Sequence, residues 1–348
     1  MAAVRNIYEQ QTFNRRMSVI FVILFLIVLV LIGFAIDSLV LGLPSNDVPL
    51  PLVSIVMLTL GTGMAIWSLR SGWIAVLKST GALPANPKDP LQKQLLNVVE
   101  EMKIAAGLPM PKVYVIPDYD FNALATGRDP QHCAIAVTDS LLQTVDRDEL
   151  QGVVAHEMSH IKNYDIRLMT ILASFVGGVI LIGDFLTRSL KVAVATSERR
   201  HHSGWTVTAD QYSSSTSNWV ALAPLFFVTW LIGVVLAPLI LKIMATAVSR
   251  SREYLADAAG AELSRNPEAL ARALKKIGTD RIPTFSMTQA AAHLCIVDPT
   301  GSGFNDREGF IAELFGTHPP LLKRIKRLDA MAYRVRPTGL QASPMPHS

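Results

Sequence analysis

Four long stretches of this chain carry no charged residue: Met17 to Ile36, Leu50 to Leu69, Leu168 to Gly183 and Trp219 to Leu241. A helix needs roughly 20 apolar residues to cross the hydrocarbon core of a bilayer. The first, second and fourth stretches meet that length. The third is shorter and needs flanking residues to snorkel, or support from the helix upstream of it. These features predict a membrane protein with about four spans. For the last two stretches a hydrophobic hairpin, buried in the protein or lying in the interface, stays open as the alternative. Composition agrees, since half of the 348 residues are apolar, only 17% are charged and the mean hydropathy is +0.33. An ordinary soluble enzyme is more charged than this.

The net charge of +4 is small, and the basic residues are scattered among acidic ones, which argues against a nucleic-acid partner. Two cysteines, Cys133 and Cys295, lie far apart with no CxxC pairing and read as small buried hydrophobes in a reducing compartment. Arg5, Arg15 and Arg16 precede the first apolar stretch, and no small-residue cleavage site precedes Asp37, so the segment reads as a retained signal anchor. The connection Asp37 to Pro49 has no Lys or Arg, which places it outside and the N-terminus in the cytosol. The segment Arg70 to Arg167 is then cytosolic as well. The connection Asp184 to Asn218 obeys the rule less well, with Arg188, Lys191, Arg199 and Arg200, and it holds His201 and His202 in a Ser-rich loop.

Between the spans lies globular material. Leu91, Leu95, Val98, Val99 and Met102 recur near helical spacing from Asp89 to Ala106, with Gly107 and Pro109 ending the helix. Strand-like runs follow at Lys112 to Ile116, Asn122 to Thr126 and Cys133 to Thr138, separated by turn residues. Further helices are predicted at Leu150 to Ile161, Ser249 to Leu263, Pro267 to Ile277 and Pro319 to Ala330. The predicted division is a membrane hairpin over 1–70, the first part of a catalytic domain over 71–167, a second membrane hairpin over 168–241, and the rest of the catalytic domain over 242–348.

The chemistry is announced by His156-Glu157-Met158-Ser159-His160. Histidines four apart on a helix share one face, so both imidazoles can reach one tetrahedral Zn²⁺, and Glu157 is placed to act as general base toward a water there. A catalytic zinc site needs a third protein ligand and one open position. Glu253 and Asp257 lie four apart on a second predicted helix. Glu253 can supply the third ligand while Asp257 hydrogen-bonds the far nitrogen of a ligand histidine. The metzincin extension fails, because Asn163 and Ile166 stand where it requires Gly and His. Asp165 follows the histidines on the same element and could coordinate in principle, but reads as a helix-end cap or a partner of Arg167.

Together, HEMSHIKNYD, SREYLADAAG, the upstream FNALATG and the downstream HLCIVDP and GTHPPLLKRIKRL resemble the HtpX family of membrane zinc endopeptidases, relatives of the CAAX prenyl endopeptidases. The resemblance implies one zinc per chain, a bacterial inner membrane with the active site facing the cytosol, and quality control of damaged membrane proteins. It implies also that Asn122 and Ala123 belong to an edge strand that pairs with an extended substrate. By the same resemblance His318 lies near the metal cleft and donates a hydrogen bond to the oxyanion of the reaction. Arg324 either braces this region through a carboxylate or sits on a solvated helix face.

The reading is a mainly α membrane protein, with a zincin-like (gluzincin) metalloprotease domain that contains a small β-sheet, and about four transmembrane helices. Its partners are polypeptide substrates and the lipid bilayer, with homo-oligomerisation left open. Two alternatives remain, a CAAX-type processing protease and a membrane chaperone or scaffold with an inert zinc site. Too few spans for a large intramembrane chamber count against the first. Glu157 counts against the second, since a structural zinc site needs no general base.

Overall fold

The structure, a computed structural model, describes residues 7–41, 50–175, 252–279, 294–297 and 318–335. Two long helices open it, α1 (Ile7–Leu41) and α2 (Leu52–Ser79). Gly33 lies against Ser54, and Gly61 against Leu26 and Leu29, so the two run antiparallel with their backbones close. Gln11–Leu31 and Leu52–Ser79 are each long and apolar enough to cross a membrane, and only 22% of each window is buried in protein. Core helices of a soluble protein bury far more. Among the described residues, Val19, Ile23, Ile27 and Leu31 on α1, and Val56, Leu60, Ile66 and Trp67 on α2, are exposed and form apolar faces suited to lipid.

The sequence reading ends the first span at Ile36 and puts Asp37 in the external connection. In the structure α1 continues to Leu41, and Asp37 is buried. Its carboxylate accepts from the backbone of Val53 (2.9 Å) and Ser54 (2.8 Å) and from Ser54 Oγ (2.7 Å). Those amides open α2 and have no partner within it, so Asp37 caps the second helix from the first.

A four-stranded mixed sheet follows, of β1 (Leu83–Pro84), β2 (Lys112–Ile116), β3 (Ala123–Asp129) and β4 (His132–Thr138), in the order β1-β2-β4-β3. β2 and β4 are parallel, and β3 pairs antiparallel with β4, Ala123 opposite Val137 and Ala125 opposite Ile135. Both faces are covered, and each fully buried aliphatic side chain contributes about 1.5–3 kcal/mol. One face presents Ala123, Ala125, Ile135 and Val137 to helices α3 (Pro90–Ala106) and α5 (Arg147–Lys162). The other presents Leu124, Ala134 and Ala136 to Val76 and Leu77 of α2 and to Met169 and Ala173. The sheet therefore lies between the catalytic helix and the membrane hairpin.

Local signals explain the helix ends. Asp89 caps α3 by accepting from Leu91 N and Gln92 N, Pro90 takes the first position, and Gly107 stops the helix at φ 68°. After the short α4 (Asp139–Thr144), α5 begins with a capping box: Asp146 accepts from Glu149 N (2.8 Å), and Glu149 Oε2 accepts from Asp146 N (2.8 Å). Buried Glu149 also pairs with Lys276 Nζ at 2.6 Å, tying α5 to the Pro267–Thr279 helix.

A helix over 165–175 carries the first part of the third apolar stretch. Leu168, Ile171, Leu172 and Phe175 are buried, and Phe175 stacks on Phe25 of α1 with ring centroids 4.0 Å apart. This part packs inside the protein. The remainder of that stretch, the Asp184 to Asn218 connection with His201 and His202, and the fourth stretch lie outside the described residues. The predicted C-terminal helices are found at 252–264, Pro267–Thr279 and Leu321–Val335.

Replacing Asp146 with Ala removes the N-cap of α5 and is expected to cost about 1 kcal/mol of stability. The measurement is the melting temperature of the purified protein in detergent. An unchanged value would mean that the cap adds nothing to α5.

Candidate metal centre

His156 and His160 project from one face of α5, one turn apart, as their spacing requires. Their rings stand nearly perpendicular, at 85°, with the two Nε2 atoms 3.3 Å apart. The second wall is the helix over 252–264, which crosses α5 in backbone contact at Gly260. A Cβ there would stand 3.0 Å from His156 N and Cα, so glycine permits the approach without either helix having to shift. At that distance Glu253 sets Oε2 3.7 Å from His156 Nε2 and Oε1 3.6 Å from His160 Nε2.

Ligand atoms of His156, His160 and Glu253 lie within 4.8 Å of one another, and theirs is a group that could hold a metal ion. Two nitrogens bound to one tetrahedral ion at about 2.0–2.1 Å must themselves be about 3.3 Å apart, which is the separation found. Charge gives a second test. Glu157, Asp165, Glu253 and Asp257 are buried here with only two guanidiniums, Arg252 and Arg324. With the histidines neutral, as imidazoles bound to a metal are, and the carboxylates ionised, these described groups leave two negative charges, which a divalent cation balances. The donor set fits a metal.

Each histidine is backed by a carboxylate on its far nitrogen. His156 Nδ1 lies 3.1 Å from Asp257 Oδ1, the carboxylate that the sequence reading sets beside a ligand histidine. His160 Nδ1 lies 3.1 Å from Asp165 Oδ2, a partner that reading does not give it. Asp165 has no ion pair with Arg167 among the described residues; its other partners are Asn14 Nδ2 at 2.6 Å and Arg252 Nη1 at 3.4 Å. The reason lies in the chain's path, because Asn163 and Tyr164 turn it between the two helices and bring Asp165 back under the histidine.

Arg324 is 1% exposed and is no part of a solvated face. Its guanidinium grips Asp257 through Nε (2.8 Å) and Nη2 (2.7 Å), donates through Nη1 to the carbonyl of Ile296 (2.7 Å), and stands 3.4 Å from Glu253 Oε2. Arg252 is buried too and reaches Met169 Sδ at 3.6 Å. His318 is buried with Nδ1 3.6 Å from Glu253 Oε2, at the edge of the same cluster. A signal for Arg324 was available. The periodicity of Leu321–Val335 puts Arg324 on the same face as buried Ile325 and Leu328.

The electrostatics favour a cation at the centre. Burial pushes the pKa of His160 down, but the hydrogen bond with Asp165 and the charges of Glu253, Asp165 and Glu157 outweigh it and raise it to about 9. Burial lowers the pKa of His156 despite Asp257. Burial also acts to raise the Glu253 carboxyl, yet His318, Arg324 and His160 hold it well below its ordinary value. For Asp257, Arg324 and His156 overcome burial and leave the carboxyl at about 2.

Glu157 differs. Burial, reinforced by the charge of Glu253 and opposed by those of His160 and Arg324, lifts its carboxyl to about 7. Neither oxygen has a hydrogen-bond partner of good geometry among the described residues. A carboxylate with free lone pairs and a near-neutral pKa can take a proton and return it.

Beside the ligands a pocket of about 220 Å³, its open mouth included, is lined by Ala125, His160, Ile166, Met169, Glu253 and Leu294. β3 is the edge of the sheet on this side. At Asn122 and Ala123 that edge already has partners within the chain: Asn122 Nδ2 donates to Val297 O (3.0 Å), Ala123 O accepts from Ile296 N (2.9 Å), and Leu124 bridges Cys295. The pocket opens one position beyond, at Ala125.

Two histidines one turn apart, a carboxylate from a facing helix that could complete a metal site, and an unpaired glutamate beside them form the kind of site a metalloprotease uses. The sequence model of peptidase family M48 matches residues 90–332. A protease HtpX homolog of Thermoanaerobacter pseudethanolicus is 39% identical over 335 residues, covering 94% of this chain and 98% of its own length. Another, from Lactobacillus helveticus, is 34% identical and covers 93% and 100%. Among solved structures, Ste24p of S. mikatae aligns with 79% of this chain and 58% of its own at 20% identity and a TM-score of 0.45. The chain belongs to peptidase family M48, in the group of the HtpX homologs.

Gly260→Val is expected to push the 252–264 helix away from His156 and separate Glu253 from the histidines. Metal content after dialysis against a metal buffer should fall severalfold below wild type, in proportion to the incomplete ligand set. Wild-type content would show that the helices do not need this contact.

Proposed function

We propose that the chain is a zinc endopeptidase of the bacterial inner membrane that hydrolyses damaged or misfolded membrane proteins on the cytosolic side. The observation that carries the chemistry is the convergence of three ligand atoms beside a buried glutamate with free lone pairs. In this reading His156, His160 and Glu253 hold the zinc, and Asp257, braced by Arg324, keeps His156 in the tautomer that presents Nε2. Zinc, when bound, polarises the scissile carbonyl and acidifies a water. Glu157 takes the proton of the attacking water and delivers it to the leaving amine, a task that suits its raised pKa. His318 stands near enough to the ligands to donate to the oxyanion.

Substrate is proposed to extend along β3, where main-chain hydrogen bonds give sequence-tolerant affinity suited to misfolded chains. The pocket at Ala125 supports entry there, while Asn122 and Ala123 hold the segment 294–297 that frames it. The two apolar helices and the family relatives support the membrane setting. The four-part domain division and the spans beyond residue 175 stay part of the same proposal.

Two substitutions separate binding from chemistry. Glu157→Gln is expected to retain about one zinc per chain and to lose nearly all cleavage of an unfolded protein substrate, since shape is kept and the base is lost. Glu253→Ala should lose most of its zinc, because two imidazoles alone form an incomplete site. Metal analysis alongside the cleavage assay decides between them, and full zinc in Glu253→Ala would move the third ligand elsewhere.

Orientation is tested by a single cysteine placed at Ser45. The native Cys133 and Cys295 are buried and give little background. An impermeant maleimide added to intact cells should label this position, whose connection has no basic residue. Labelling only after the cells are opened would invert the topology.

A further inference from the structure

The first turns of α1 are polar in a helix otherwise built for lipid. Asn14 is fully buried, and its side-chain amide donates to two acceptors, the backbone oxygen of Asn163 (2.9 Å) and Asp165 Oδ1 (2.6 Å). Two acceptors require the NH₂ group on that side, so the amide orientation is fixed by its neighbours. One turn earlier, Gln11 Nε2 donates to the carbonyl of Lys162 (2.9 Å). The last carbonyls of a helix have no partner within it, and here the end of the catalytic helix α5 is satisfied by the membrane helix. Arg15 closes the contact by lying 4.2 Å over the ring of Tyr164, whose φ of 60° makes the turn.

Asp165 stands between this contact and the metal centre. Its Oδ1 is held by Asn14, and its Oδ2 lies 3.1 Å from His160 Nδ1. Arg252 balances its charge, but at 3.4 Å gives it little direction. The short bond from Asn14 sets the plane of the carboxylate, and that plane sets the imidazole ring.

We propose that Asn14 is a positioning residue of the metal centre: through Asp165 it holds His160 with Nε2 toward the ion, which makes the membrane helix α1 a component of the site as well as its anchor. The proposal rests on the reading that His160 binds zinc. Metal affinity should therefore depend on a residue of α1 that touches neither the ion nor the substrate. Groups that orient a ligand histidine typically change metal affinity by roughly 10- to 100-fold.

The test uses the full-length protein in detergent, with zinc affinity measured by competition with a chromogenic chelator. Asn14→Ala and the isosteric Asp165→Asn should each weaken binding by about 10-fold or more. The double variant should bind no worse than Asp165→Asn alone, because both changes break one relay. Gln11→Ala removes the neighbouring cap without touching Asp165 and should keep wild-type affinity. Melting of the zinc-free proteins is read separately, so that a general loss of stability is not taken for loss of orientation. Wild-type affinity in Asn14→Ala, or additive losses in the double variant, overturns the proposal. If Asn14→Ala does not fold, wild-type affinity in Asp165→Asn overturns it equally. Failure of the zinc reading looks different, since Glu253→Ala and His160→Ala would then both retain the metal.

Discussion

Buried charge is the constraint from which the rest of this structure follows. Four carboxylates, two guanidiniums and the histidines at the centre are almost entirely removed from water. Unpaired, each buried ion would cost several kcal/mol. They are tolerable together because all but Glu157, whose carboxyl burial lifts to about 7, are placed against a partner, and because the remaining negative charge faces one point between His156, His160 and Glu253. The arrangement needs close packing, since each pair weakens as its members move apart. Gly260, against the backbone of His156, supplies that closeness. Arg324 serves from the other end of the chain, binding Asp257 in a two-pronged grip and facing Glu253.

The membrane helices take part in this architecture. α2 covers one face of the sheet with Val76 and Leu77, and the first part of the third apolar stretch is packed against α1 through Phe25 and Phe175. Lipid-facing and protein-facing surfaces thus lie on the same helices. Asp37 capping α2 within the hairpin, and the contact of Gln11 and Asn14 with the end of α5, add polar contacts to elements whose exposed surfaces are largely apolar along their middle turns. Many apolar residues of α1, such as Val19, Ile23 and Ile27, face outward while Asn14, Ser18 and Asp37 are buried.

Much of the local structure was legible because short-range chemistry determines it. Asp89-Pro90 and Gly107 bound α3, the run Lys112 to Ile116 became β2 as predicted, and the pairs His156/His160 and Glu253/Asp257 share helix faces because their spacing is close to one turn. Boundaries were less secure where a neighbour intervenes: α1 outlasts the predicted end by five residues because Asp37 has α2 to cap. Asp165 was misread for a similar reason. Its nearest charge in sequence is Arg167, but the turn at Tyr164 directs it to His160.

What the sequence by itself determined was which candidate donors share a helix face and where the apolar stretches lie, since residue spacing on a helix and the length of an uncharged run are properties of the local chain. Only the tertiary structure decided which carboxylate backs which histidine, that Arg324 and Arg252 are buried, and that Asn14 reaches the site from α1. These contacts join residues as far apart in sequence as Asn14 and Asp165, or Asp257 and Arg324. A side chain's hydrogen-bonding capacity can be read from its type, but its partner is chosen by how the helices pack.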